Sequence, residues 1–118
     1  MKILLATLLA LSGSAFAATS KEWRAAAKAK IESLDFSTSN TRLQGETETT
    51  AVYTKLFAKS QDNGDLMTCH VAVFVSKADA SIVAPADDQA ALDLVYAAFS
   101  YGDERVDNDE KYVLICAD

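Results

Sequence analysis

Hydrophobic and polar positions along this chain switch between helical and strand spacing, and each switch marks an element. Thr19 and Glu22 stand at capping-box spacing, and after them Trp23, Ala26, Ala27, Lys30, Ile31 and Leu34 recur at helical intervals. This predicts a helix over residues 20–34. Its opposite face carries Lys21, Lys28 and Glu32, so it should lie on a core rather than inside one. Residues 35–45 are rich in Ser, Thr and Asn, have little period, and read as a loop with room for a short extended piece.

Strand character begins at residue 47. Over residues 47–59, Ala51, Tyr53, Lys55 and Phe57 alternate with Val52, Thr54 and Leu56. The stretch Asp62, Asn63, Gly64, Asp65 is a tight-turn signal, because Asn-Gly accepts positive φ at low cost, and a second strand resumes over residues 66–76. In that strand Val71, Val73 and Val75 face one way while Ala72 and Phe74 face the other, the mark of a central strand. Pro85, Asp87 and Asp88 suit a helix start, and Ala91, Leu94, Val95, Ala98 and Phe99 form one stripe. A second helix over residues 86–101 follows, with Gly102 as its stop. The apolar run Tyr112, Val113, Leu114, Ile115 ending at Cys116 predicts a last strand over residues 111–117.

The expected fold is therefore α+β, a small antiparallel sheet of three or four strands packed by two helices in the order α-β-β-α-β. Cys69 opens the central strand and Cys116 closes the last one. A bond between them requires those ends to meet, which antiparallel neighbours achieve and parallel neighbours do not. In that register Val71 lies across from Leu114 and Val73 from Tyr112.

The N-terminus fixes the expected compartment. Lys2, the apolar stretch over residues 3–11 and Ala15-Phe16-Ala17 follow one another as the three regions of a secretory signal, with cleavage after Ala17. The apolar run is far shorter than the roughly 20 residues of a spanning helix, and Ser12, Gly13 and Ser14 break it. Residues 1–17 are thus expected to be a signal peptide and 18–118 one domain of a periplasmic or secreted protein, with no membrane insertion. Export to an oxidising compartment supports the Cys69–Cys116 disulfide. With one histidine in the chain, two distant cysteines make a poor zinc set.

Losing Lys2 leaves ten basic residues against 17 acidic ones, a net charge of −7 in place of −6. That balance argues against nucleic acid and anionic lipid as partners and favours a cationic one. The densest acidic cluster spans residues 103–110 and is read as a loop joining the second helix to the last strand. Its carboxylates Asp103, Glu104, Asp107, Asp109 and Glu110 are the candidate surface for a basic protein. Neither this run nor the turn at Asp62 has calcium-loop spacing, so no metal or cofactor is assigned.

No catalytic set is assigned. His70 follows Cys69 directly in a strand, which sends the two side chains to opposite faces, and no elbow or triad motif surrounds Ser76, Ser81 or Ser100. A carboxylate pair for glycoside chemistry would need a cleft that so small a domain has little room to build. Trp23, Tyr53, Tyr96, Tyr101 and Tyr112 are expected in the core or at its rim.

The expected function is that of an exported binding protein, not an enzyme, acting as an inhibitor of a basic toxic or lytic enzyme in the bacterial envelope. A signal peptide, a small acidic domain and one cysteine pair make it similar in format to periplasmic immunity proteins that neutralise cell-wall-attacking effectors. The alternatives are a small-ligand or metal carrier and a small hydrolase. An exposed edge at residues 47–59 would also allow a homodimer through strand pairing.

Overall fold

In a computed structural model, which describes residues 17–99 and 103–117, the strand β3 (Leu66–Ser76) is buried on both faces from Val71 to Val75. Cys69, Val71, Val73 and Val75 point to one side, Ala72 and Phe74 to the other, and all six are buried. The structure is built to cover both sides. On one, Ala27 and Ile31 of the helix α1 (Ser20–Ser33) pack on Ala51, Tyr53, Val73 and Val75. On the other, Ala91, Leu92 and Val95 of α2 (Gln89–Ala98) pack on Val52, Ala72, Phe74, Val113 and Ile115. The result is three layers, helix, sheet and helix.

Among the described residues the sheet is antiparallel and six-stranded. Its other strands are β1 (Thr41–Glu46), β2 (Thr50–Ser60), β4 (Ile82–Val83), β5 (Asp103–Asp107) and β6 (Tyr112–Ala117). They run in the spatial order β1-β2-β3-β6-β5, and β4 pairs the end of β3 that lies beyond β6. This corrects the expected sheet of three or four strands, and the chain order is α-β-β-β-β-α-β-β rather than α-β-β-α-β.

Each missed strand has a physical reason. β1 is an edge strand whose alternation is broken by a bulge between Leu43 and Gly45, so it carries little period of its own. β4 is two residues long. β5 is almost wholly charged, and its pairing with β6 places it in the sheet rather than in the expected loop. β1 covers Ala51 to Lys55, so among the described residues the stretch 47–59 is an open strand edge only beyond Lys55; β1 and β5 end the strand order of the sheet.

The local signals act as expected elsewhere. Thr19 and Glu22 form a reciprocal capping box, with distances of 2.8 and 3.2 Å. Gly64 sits at φ 88° in the turn joining β2 and β3. The second helix is shorter than residues 86–101: Pro85–Asp87 form a 3₁₀ turn, and Asp88 caps α2 by accepting from the Ala91 N–H at 3.1 Å. The other Asp88 oxygen accepts from the Thr50 hydroxyl, tying that helix start to the sheet. All but Ala17 of the expected signal peptide over residues 1–17, and the stop at Gly102, lie outside the described residues. Among those that are described, no helix is long and apolar enough to cross a membrane.

Cys69 and Cys116 are bonded, with their Cα atoms 4.0 Å apart in directly opposed positions of β3 and β6. Val71 lies opposite Leu114 as expected, and the ladder ends at Ala72–Val113, one residue short of the expected Val73–Tyr112 pair.

Two outcomes test this architecture in urea unfolding. Replacing both cysteines with serine should cost about 4 kcal/mol by the chain-entropy relation, since the bond joins residues 47 apart in sequence. Phe74→Ala should cost about 3–5 kcal/mol, as for a fully buried aromatic side chain. A loss under about 1 kcal/mol in either variant would contradict the assigned packing.

Candidate functional site

The carboxylates of residues 103–110 do not form one patch. Within β5, Asp103 and Asp107 lie opposite Cys116 and Tyr112 on the α1 side of the sheet, whereas Glu104 lies opposite Ile115 on the α2 side. Asp109 and Glu110 occupy the turn that leads into β6. The strand's alternation divides what a flexible loop would have gathered.

The turn itself is fixed by its own side chains. Asp107 accepts from the Glu110 N–H at 2.8 Å and meets the Arg105 guanidinium at 3.4 Å. Asn108 accepts from the Ala86 N–H at 2.8 Å, which anchors the turn to the segment before α2. Glu110 reaches Lys30 of α1 at 4.0 Å. Asp107 is therefore a structural residue of the turn, and Asp103, Glu104, Asp109 and Glu110 present exposed residues along the edge.

Glu104 has a further effect. The Tyr96 phenol is raised above its usual range first by burial and then by the Glu104 carboxylate nearby. The remaining described aromatics fill core and rim positions as expected. Trp23, Tyr53 and Tyr112 belong to the α1-side cluster, and the Trp23 indole donates to the Lys77 carbonyl at 3.1 Å. Lys77 in turn pairs with Glu46 at 2.8 Å. Tyr101 lies outside the described residues.

At the opposite edge of the sheet the structure brings together residues that periodicity did not connect. Arg42, Gln44, Thr54, Leu56, His70 and Phe99 line a recess of about 130 Å³ on the α2 side. The His70 ring stacks on Phe99 with centroids 3.9 Å apart. Thr54 is buried, and its hydroxyl donates to the Gln44 side-chain oxygen at 3.3 Å. The bulge in β1 places Gln44 there. Reading residues 35–45 as a loop hid Arg42 and Gln44; counting back from the Asn63-Gly64 turn would have placed Leu56 opposite His70, as observed.

Burial holds the His70 imidazole below its ordinary range, and the Arg42 guanidinium adds to that effect. As the sequence indicates, His70 and the bonded Cys69 fall on opposite faces of β3. Among the described residues, no three His, Cys, Asp or Glu side chains converge as metal ligands would. The Asp62–Asp65 turn is closed by Asn63, whose side-chain oxygen accepts from the Asp65 N–H at 3.0 Å. Two other hollows, of about 420 Å³ at the tip of the β2–β3 hairpin and about 230 Å³ beside Cys116, are shallow and share Lys59 and Met67.

No family model, curated protein or solved structure matches this chain.

The lowered His70 value sets a sign for stability against pH. The folded state binds fewer protons than the unfolded state below the unfolded imidazole value of about 6.5. This contribution is therefore complete above that pH and is lost as pH falls from there through the folded value. In urea unfolding at pH 7.5 and 5.5, His70→Gln should show a smaller stability loss at the lower pH than the unaltered protein. Identical pH dependence in the two proteins would refute the assignment.

Proposed function

We propose that this chain is an exported acidic binding protein that docks a cationic protein, of the kind that inhibits a basic lytic enzyme in the bacterial envelope. The observation that carries this reading is the β5 edge with its turn. It is an outer strand of the sheet, nearly all charged, with its turn held from both sides through Asn108 and Glu110. A surface whose backbone is already fixed loses little conformational freedom when a partner docks. Carboxylates on such a surface steer a cation-rich partner and fix its orientation.

The net charge acts in the same direction. At −6 for the whole chain, or −7 without the signal segment, the field of the protein attracts cationic partners before contact. The Cys69–Cys116 bond supports an oxidising compartment, where an envelope partner would be met.

A cationic cell-wall hydrolase of the lysozyme type is the direct test, with binding followed by calorimetry at low and high salt. Asp103→Asn combined with Asp109→Asn should weaken binding about tenfold or more and flatten its salt dependence. Asp107 and Glu110 are left intact because the one closes the turn and the other ties it to Lys30. Unchanged affinity in the double variant, or no binding at either salt concentration, would overturn the reading for this partner class.

A further inference from the structure

The recess at the β1 edge has the composition of a small anion receptor, and it stands independently of the docking surface at the β5 edge. Arg42 is exposed on an outer strand, and among the described residues it makes no ion pair. Its guanidinium offers a planar fork of donors suited to a carboxylate. Gln44 already accepts from Thr54 through its side-chain oxygen, which leaves the amide NH₂ as its remaining donor. The other walls are apolar or aromatic: the stacked His70–Phe99 pair and Leu56, which is 46% exposed.

Size narrows the ligand. About 130 Å³ corresponds to roughly four water molecules at ~30 Å³ each, well below the usual range for a drug-sized ligand. One charged head and a short body fit; a nucleotide or an oligosaccharide does not. Leu56 would stay half wet without a body to cover it, and a bare inorganic anion supplies none.

We propose that this recess binds a small carboxylate on a short planar or apolar body. Arg42 and the Gln44 amide hold the carboxylate, while the His70–Phe99 stack and Leu56 receive the body. Glu104 shares the cross-strand row of His70 through Ile115 but on the far side of β6, and among the described residues that line the recess Arg42 is the one lysine or arginine.

His70 is the only histidine, so its imidazole proton signals report on the recess without assignment of the rest of the protein. Benzoate added at pH 7.5 should shift those signals saturably, with half-saturation at about 1 mM, which corresponds to about −4 kcal/mol. Acetate, which lacks the ring, should bind about tenfold more weakly, and inorganic phosphate should give no saturable shift. Arg42→Gln should weaken benzoate at least tenfold, while Lys59→Gln, the same charge change elsewhere, should leave it unaltered. The proposal is overturned by the absence of a saturable benzoate shift or by phosphate binding as tightly as benzoate. Equal losses in the two variants, or unaltered benzoate binding by Arg42→Gln, would also overturn it.

Discussion

The constraint on which the structure depends is the strand register of β3 against its neighbours. In a sheet with one wet face, sliding a strand by one residue drives polar groups into the core, and the hydrophobic pattern forbids it. Here both faces of β3 are buried, so a slip would exchange Val71 and Val73 for Ala72 and Phe74, apolar for apolar. β6 offers the same ambiguity in its run from Tyr112 to Ile115. Two devices supply the discrimination that polarity does not. The Asn63-Gly64 turn pins β2 to β3, and the cysteine pair pins β3 to β6. Volume adds to this, since Phe74 fits the α2-side cluster while the β3 residues facing α1, Val73 and Val75, are much smaller.

How much of this was legible in the sequence follows from where local chemistry dominates. The capping box of α1, the β2–β3 hairpin and the antiparallel meeting of Cys69 with Cys116 all rest on signals a few residues wide or on one covalent requirement, and they were readable. β1 and β5 were not, because each exists through its neighbour. Arg42 and Glu104 have no strand periodicity around them; they are extended because β2 and β6 present backbone groups to pair with. The candidate sites inherited that blindness. Reading residues 103–110 as a loop joined carboxylates that the strand separates, and reading residues 35–45 as a loop concealed half of the recess around His70.

The two sheet edges carry different chemistry. The β5 edge is acidic and anchored through Asn108 and Glu110 to the elements on both sides. The β1 edge is bulged, and that irregularity sets Gln44 beside Thr54 instead of continuing the alternation. Between them lie β2, β3 and β6, so a large partner on one edge leaves the other accessible.

The charges on β5 also have a protective role, because an outer strand whose amides and carbonyls face water is a template for fibril growth unless something repels the next copy. Asp103 and Glu104 point to opposite sides of the sheet, so an approaching duplicate meets like charge above and below the plane. The carboxylates proposed for docking are thus the same ones that guard the edge. On the proposed docking role, retuning this edge for a less basic partner would also loosen its guard against self-stacking.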